Sequence, residues 1–250
     1  MGIAVAGGTG LLGRHVVRQA ERRGHTVIVL SRSRGADVRS GAGLADALDG
    51  VDTVIDVTNV GTTEEHPATD FFVEVAGTIQ RVGAQRGVKH VVTLSIVGID
   101  RVPFGYYAAK LAQERAAASG SVPSTILRAT QFHEFAGKAI ARGRDGAAAH
   151  VMNLRVQTVA ARIVAAVLVD LAEGAATGRA PDLAGPEEAD LVTLARRLVQ
   201  HRGESIQIHP DDDSVAAIPP RAFLPGPGAR IEGPTFDEWL DSEDAAALAL

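Results

Sequence analysis

Residues Ile3-Ala4-Val5-Ala6-Gly7-Gly8-Thr9-Gly10-Leu11-Leu12-Gly13 form an apolar run that breaks into glycines and resumes with helical spacing. A short apolar run bounded by glycine reads as a buried strand, and the stretch from Leu11 to Arg23, stopped by Gly24, reads as a helix. A strand that hands the chain to a helix through so tight a turn leaves few folds open. The first amides of that helix have no intrahelical partner, and its dipole favours an anion there. Gly7 allows the turn, Gly10 lets the backbone approach a pyrophosphate, and Gly13 lets the helix lie close on the strand. Thr9, Leu11 and Leu12 complete the loop. With strand and helix on either side, the motif predicts a dinucleotide cradle.

Strand and helix signals then alternate, which predicts a parallel sheet with helices on both faces. Strands are expected at Thr26–Leu30, Thr53–Val57, His90–Ser95 and Ser124–Ala129. Helices are expected at Leu11–Arg23, Gly43–Leu48, Ala68–Arg86 and Tyr106–Ser119. Beyond residue 150 the pattern loosens. Val156–Leu171, Leu191–His201 and Pro234–Leu248 read as helices, separated by Pro/Gly-rich stretches. The fold expected is α/β, a doubly wound Rossmann-type parallel sheet. Residues 1–150 would be the nucleotide-binding core, and 151–250 a smaller substrate-covering part interleaved with it in one domain.

The 250 residues suffice for one large core, and the net charge of −5 with no dense basic patch argues against nucleic acid as a partner. No apolar run reaches the length of a membrane span, and no leader is expected before the first strand. A cytoplasmic monomer or homodimer acting on a small molecule is the expectation. The chain has no cysteine, which removes disulfides, thiolate catalysis and cysteine-ligated zinc. The histidines show no ligand spacing with carboxylates, so no metal is expected. Of the 25 cationic residues, only Lys89, Lys110 and Lys138 are lysine.

The residues after the second strand select the nucleotide. An acid there would accept from a ribose 2′-hydroxyl, whereas a cation accepts a 2′-phosphate. The chain reads Leu30-Ser31-Arg32-Ser33-Arg34, with no acid at the strand end. Arg32 can meet a phosphate bidentately, with Ser31 and Ser33 as added donors. The cofactor expected is NADP(H). Asp37 follows as an acceptor for an adenine amino group or as a plain loop residue. Thr58 and Asn59 leave the third strand where the cofactor's central ribose and phosphates are expected.

The glycine loop, Ser31-Arg32, Gly50-Val51-Asp52-Thr53-Val54-Ile55-Asp56 and Val88-Lys89-His90-Val91-Val92 with Leu94-Ser95 form a recognisable set. Tyr106-Tyr107-Ala108-Ala109-Lys110 and Leu127-Arg128-Ala129-Thr130-Gln131-Phe132 extend it. Together they resemble the atypical short-chain dehydrogenase/reductases, particularly the NmrA-like branch with its isoflavone-reductase-like and quinone-reductase-like members. The likeness covers residues 1–135 well and the rest loosely. It implies the fold and the cofactor, but not one reaction, because that branch includes reductases, isomerases and catalytically silent NADP sensors.

Tyr106 and Lys110, spaced i, i+4, share one helix face. They match the Tyr-x-x-x-Lys of active short-chain reductases, in which the tyrosine protonates a carbonyl oxygen as hydride arrives. A nearby ammonium would lower the phenol pKa, and the same lysine can hold the nicotinamide ribose. Many NmrA-like relatives lack the tyrosine, so this chain's pair is a departure toward the active pattern. Tyr107 is the competing acid. The resemblance gives Ser95 the task of orienting a substrate carbonyl. Gln131 and Phe132 are expected on the nicotinamide side, and His133 or Glu134 toward substrate. Phe104, Phe135 and Phe223 read as apolar walls or as core.

The sequence thus reads as an NADPH-dependent oxidoreductase reducing a carbonyl, enone or quinone of a small organic substrate. A non-catalytic NADP(H) sensor or partner-binding protein is the first alternative. A sugar-nucleotide epimerase or dehydratase is the second, opposed by Arg32.

Overall fold

The computed structural model describes residues 1–246. The chain divides into two compact units, one of residues 1–128 and 164–181, the other of 129–163 and 182 onward. The first unit begins with β1 (Gly2–Ala6), α1 (Leu11–Arg22), β2 (Thr26–Leu30), α2 (Leu44–Ala47) and β3 (Thr53–Asp56). It continues with α3 (Glu65–Arg86), β4 (His90–Ile96), α4 (Gly105–Ala118) and β5 (Ser124–Ala129), whose last residue opens the second unit.

The second unit carries α5 (Phe135–Arg142), β6 (Arg144–Asp145), β7 (Ala148–Met152) and β8 (Arg155–Val156). The next helix, α6 (Ala161–Glu173), belongs to the first unit from Val164 onward, as does β9 (Gly178–Arg179). The second unit resumes with β10 (Leu183–Ala184), β11 (Ala189–Asp190), α7 (Leu191–His201) and β12 (Gln207–Asp211). It closes with β13 (Arg230–Ile231), α8 (Phe236–Leu240) and α9 (Glu243–Ala246).

In the first unit β1 pairs in parallel with β2 and with β3, β3 pairs in parallel with β4, and β5 follows. The order β2-β1-β3-β4-β5 is that of a doubly wound sheet. The chain leaves β1 for β2 on one side, then crosses to β3 on the other. Ligands bind such sheets outside the carboxyl ends of the strands at this reversal. Register sets Leu30, Ala6, Asp56 and Thr93 side by side along that edge.

Both faces are covered, which is why Ile3–Ala6 read as an unbroken apolar run rather than an alternating one. On one face Ala4, Ala6, Val54 and Val91 pack with Leu44 and Leu48 of α2 and with Val75, Ile79 and Val82 of α3. On the other, the Thr53 hydroxyl donates to the Ala172 carbonyl of α6 at 3.2 Å. Arg23 at the end of α1 pairs with Asp170 and Glu173 at 2.6 and 2.8 Å.

Several elements differ from the sequence expectation. The third helix starts at Glu65, three residues before Ala68, with Pro67 in its first turn, where a missing N–H costs nothing. The helix expected from Val156 begins only at Ala161. Residues before it are held extended, with Val159 N donating to Gln131 O and His133 N to Val159 O, both at 3.0 Å. The helix expected over Pro234–Leu248 is instead two short ones, and its last two residues lie outside the described part. A capping box of Thr235 and Glu238 starts α8, and the Ser242 hydroxyl donates to the Trp239 carbonyl at 2.6 Å where it stops. No helix among the described residues is long and apolar enough to cross a membrane.

Candidate functional site

The glycine loop leaves β1 as the sequence requires. Gly7 has a positive φ of 81°, and a Cβ there would come within 2.8 Å of the Val57 carbonyl leaving β3. A Cβ on Gly13 would sit 2.0 Å from the Gly7 carbonyl, so α1 and the loop touch backbone to backbone. Gly10 N donates to Gly7 O at 3.0 Å, and Gly10 is the N-cap of α1. No side chain caps this end and no acid occupies its first turn. The loop therefore presents main-chain amides at Thr9 and Leu11 with little side chain in the way, while Leu12 and Gly13 turn inward. That fits a pyrophosphate.

Beyond β2, Arg32–Arg34 form a 3-10 turn closed by Gly35 at φ 82°. Arg32 and Ser33 are exposed, and the Ser31 and Ser33 hydroxyls lie 3.1 Å apart. Asp37 accepts from Arg39 N at 2.9 Å. That bond, aided by the Arg32 charge, holds its carboxyl below the usual range. These groups stand at the edge shared by Leu30 and Ala6, beside the glycine loop.

On the other side of β1, Asp56 is buried and its carboxylate accepts three hydrogen bonds. It accepts from Thr58 N at 3.0 Å, from the Thr58 hydroxyl at 2.7 Å and from Gln113 Nε2 at 2.9 Å. Thr58, expected at the cofactor, spends its hydroxyl here. Asn59 Oδ1 accepts from Val60 N at 2.8 Å and from the Tyr106 hydroxyl at 2.7 Å.

Tyr106 and Lys110 do leave one face of α4, yet they hold different partners. The Lys110 ammonium, 4% exposed, donates to the Leu94 carbonyl at 2.9 Å and to Gln113 Oε1. It lies 4.7 Å from the centre of the Phe72 ring. Burial pulls its pKa down to about 8, against the opposing charges of Asp56 and Glu114. Burial pushes the Tyr106 phenol well above its ordinary value, and Tyr107 adds to this. The expectation of a phenol lowered by the lysine is thus corrected, because the ammonium is turned toward β4. The Tyr106 ring packs edge-on against Phe72 and Tyr107 at 5.7 and 5.9 Å.

Ser95 lies two residues past Thr93 on the same side of β4. Its hydroxyl is buried and has no hydrogen-bond partner in the protein. An unsatisfied buried hydroxyl costs ~1–3 kcal/mol, and the Thr93 hydroxyl on the same side of β4 is likewise buried without a partner. Phe104, at the N-cap of α4, is 43% exposed.

Gln131, Phe132, His133, Glu134 and Phe135 belong to the second unit. Gln131 and Phe132 are half-buried, with the Gln131 Oε1 lacking a protein partner. Phe135, also half-buried, begins α5. His133, expected to face substrate, is a core residue. Its ring nitrogens lie 2.7 Å from the Thr158 hydroxyl and 3.2 Å from the Pro234 carbonyl, and Phe236 and Trp239 pack on the ring. Burial holds it neutral, with a pKa of about 4. Phe223 is likewise fully buried and is core rather than wall. Glu134 is buried, and burial raises its carboxyl to about 7.

Sequence reasoning gave no role to Asp56, Phe72 or Gln113. Gln113 stands three residues after Lys110 on the same helix, a spacing that brings side chains together and was the available signal. Among the described residues no group of His, Cys, Asp or Glu side chains is gathered to hold a metal ion.

Residues 3–99 match the model of the NAD dependent epimerase/dehydratase family. The photosystem II assembly factor Ycf39 of Synechocystis is 32% identical over 117 residues, 41% of this chain. The match spans 36% of that relative's length. A short-chain dehydrogenase/reductase superfamily protein from Agrobacterium tumefaciens, solved with NAD, superposes with a TM-score of 0.70 at 19% identity. It covers 99% of this chain and 97% of that one. The UDP-glucose 4-epimerase of Thermus thermophilus in complex with NAD gives 0.69 at 16% identity, covering 96% and 92%. At such identities the likeness speaks for the fold. Glycine loop, doubly wound sheet and structural likeness agree on a Rossmann-type fold, with residues 3–99 similar to the NAD dependent epimerase/dehydratase family.

Proposed function

We propose that this protein is an NADPH-dependent oxidoreductase that reduces a carbonyl, enone or quinone on a small organic molecule. The observation that carries the reading is the row of strand ends in the first unit. It sets the uncapped glycine loop beside Arg32 on one side and the Tyr106–Lys110 helix on the other. Gly7, Gly10 and Gly13 shape the pyrophosphate cradle, with the backbone of Thr9, Leu11 and Leu12. Arg32, Ser31 and Ser33 supply donors for a 2′-phosphate, and an acid that would prefer a bare ribose is lacking there. Asp37 takes the adenine side, and Asn59 and Lys110 the central and nicotinamide riboses.

When bound, the nicotinamide supplies a hydride. Tyr106 is the proton donor: its phenol, raised by burial, stays protonated at neutral pH, as reduction requires. Asn59 fixes the hydroxyl before substrate arrives. Ser95, with its unspent hydroxyl, orients the substrate oxygen. Lys110 contributes a localised positive charge that favours the anionic oxygen forming in the reaction. Phe104 and Tyr107 offer apolar contact to the substrate.

A second reading is an NADP(H)-binding protein without turnover, of the NmrA-like kind. The favouring observation is that the Tyr106 hydroxyl and the Lys110 ammonium already have protein partners. The matched curated relative is also named an assembly factor. Titrating NADPH and NADH, then assaying quinones and ketones with wild type and Tyr106→Phe, separates the two. Turnover that falls in Tyr106→Phe supports the reductase. Tight NADPH binding with no turnover of any substrate supports the binding protein.

A further inference from the structure

Lys110 is one of three lysines, and its ammonium is buried near an acidic residue on another element without touching it. Between the two stands Gln113, 1% exposed. A carboxylate can only accept, and an ammonium can only donate. Asp56 therefore dictates which end of the Gln113 amide faces it. The amide nitrogen donates to Asp56 Oδ2 at 2.9 Å, and the carbonyl oxygen is left to accept from Lys110. Asp56 is itself pinned by Thr58 through two bonds. The orientation is thus handed along from Thr58 to Asp56, to Gln113, to Lys110.

We infer that Gln113 is a positioning residue: oriented by Asp56, its amide holds the Lys110 ammonium against the Leu94 carbonyl and couples it to the Asp56 carboxylate. The inference rests on the reading of Lys110 as a functional group, but its geometry stands apart from any reaction. Two of the three ammonium N–H groups are fixed, by Gln113 and by Leu94, so the direction of the third is fixed as well. Two other charged groups bear on Lys110. Glu114, four residues on in α4, is engaged by Arg128 through two bonds of 2.7 and 2.8 Å. Asp56 acts through the amide. Phe72 offers its ring face. Without the amide the ammonium would keep one hydrogen bond, to Leu94, in surroundings where a weakly partnered charge is costly.

The three lysines make the test direct. Protein carrying 13C,15N-labelled lysine gives three side-chain signals, assigned with Lys89→Arg and Lys138→Arg. The titration midpoint of Lys110 is then followed in wild type, Gln113→Met and Gln113→Glu. Methionine keeps the volume and removes both hydrogen bonds; proton affinity is expected to fall about tenfold or more, read as a lower midpoint. Glutamate places a charge beside the ammonium, and the midpoint is expected to rise. Midpoints unmoved in both variants overturn the inference. If Gln113→Met does not fold, the Gln113→Glu midpoint alone decides. Lys110→Met assayed with NADPH tests the functional reading separately. Full activity there sinks the lysine's role and leaves the positioning result intact.

Discussion

The Tyr106 hydroxyl donates to Asn59 Oδ1 across 2.7 Å, joining the start of α4 to the loop that leaves β3. This bond fixes the phenol while burial keeps it protonated. Tyr106→Phe should leave the circular dichroism spectrum and NADPH affinity near wild type and lower turnover by roughly 10²–10⁴-fold. Asn59→Ala, which frees the phenol, should lower turnover by a smaller factor. Unchanged turnover in Tyr106→Phe would remove it as the acid.

Lys110 gives the site its pH dependence. With its pKa at about 8, the ammonium is charged below that pH and neutral above it. Turnover should therefore decline as pH rises through about 8. Its folded-state pKa lies below the ordinary value of 10.5, so between these two pH values the unfolded chain binds more protons. From this group stability rises over that window, and unfolding does not account for the decline. A pH–rate profile run beside thermal melts checks both signs.

Arg32 is exposed and stands on the turn after β2. Removing a charged hydrogen-bonding partner costs about 1.5–3 kcal/mol. Arg32→Ala should weaken NADPH binding by roughly ten- to a hundredfold and leave NADH affinity nearly unchanged. Calorimetric titration with both nucleotides reads this, and an equal loss for the two would sink the 2′-phosphate assignment.

Gly13→Ala adds a Cβ where the Gly7 carbonyl lies 2.0 Å away. Backbone must move to admit it. Loss of NADPH binding together with a lower Tm is expected, whereas Gly10→Ala, whose Cβ meets only Gly7 O at 3.3 Å, should keep the Tm and lose affinity.

Glu134 concerns stability rather than turnover. Its carboxyl is raised to about 7 by burial, and one oxygen accepts from Ala161 N at 3.3 Å while the other has no protein partner. The folded state holds this proton more tightly than the unfolded one. The stability it brings is full below about 4.5 and is lost as pH rises through 7. Every tenfold difference in proton affinity between the two states is worth ~1.4 kcal/mol. Glu134→Gln should therefore raise Tm at pH 8 and change it little at pH 4.5.

The first unit was legible because its signals are local. Thr26–Leu30 is a β-branched run shortly after Gly24, Ser124–Ala129 is buried from Thr125 onward and follows Pro123, and both strands have the expected bounds. Helix α5 and the small strands of the second unit were not legible, since their pairings join distant residues, as β7 with β12. His133 shows the same limit in one residue. Its partners Pro234, Phe236 and Trp239 lie about a hundred positions downstream, so a histidine beside a strand end was expected to face substrate and is core. The Tyr106–Lys110 spacing gave the shared helix face but not the partners. Those depend on Asn59, Leu94 and Gln113, which only the folded sheet brings near.

The contact of Gly13 with Gly7 leaves the loop shaped mostly by main chain. A surface with few side chains has little to adjust for one dinucleotide over another. Retention and selection are then separate properties of the molecule, housed on neighbouring strands and open to independent change. A variant library over residues 31–37 should exchange the preferred cofactor without weakening the shared grip, and one over residues 7–13 should only lose it.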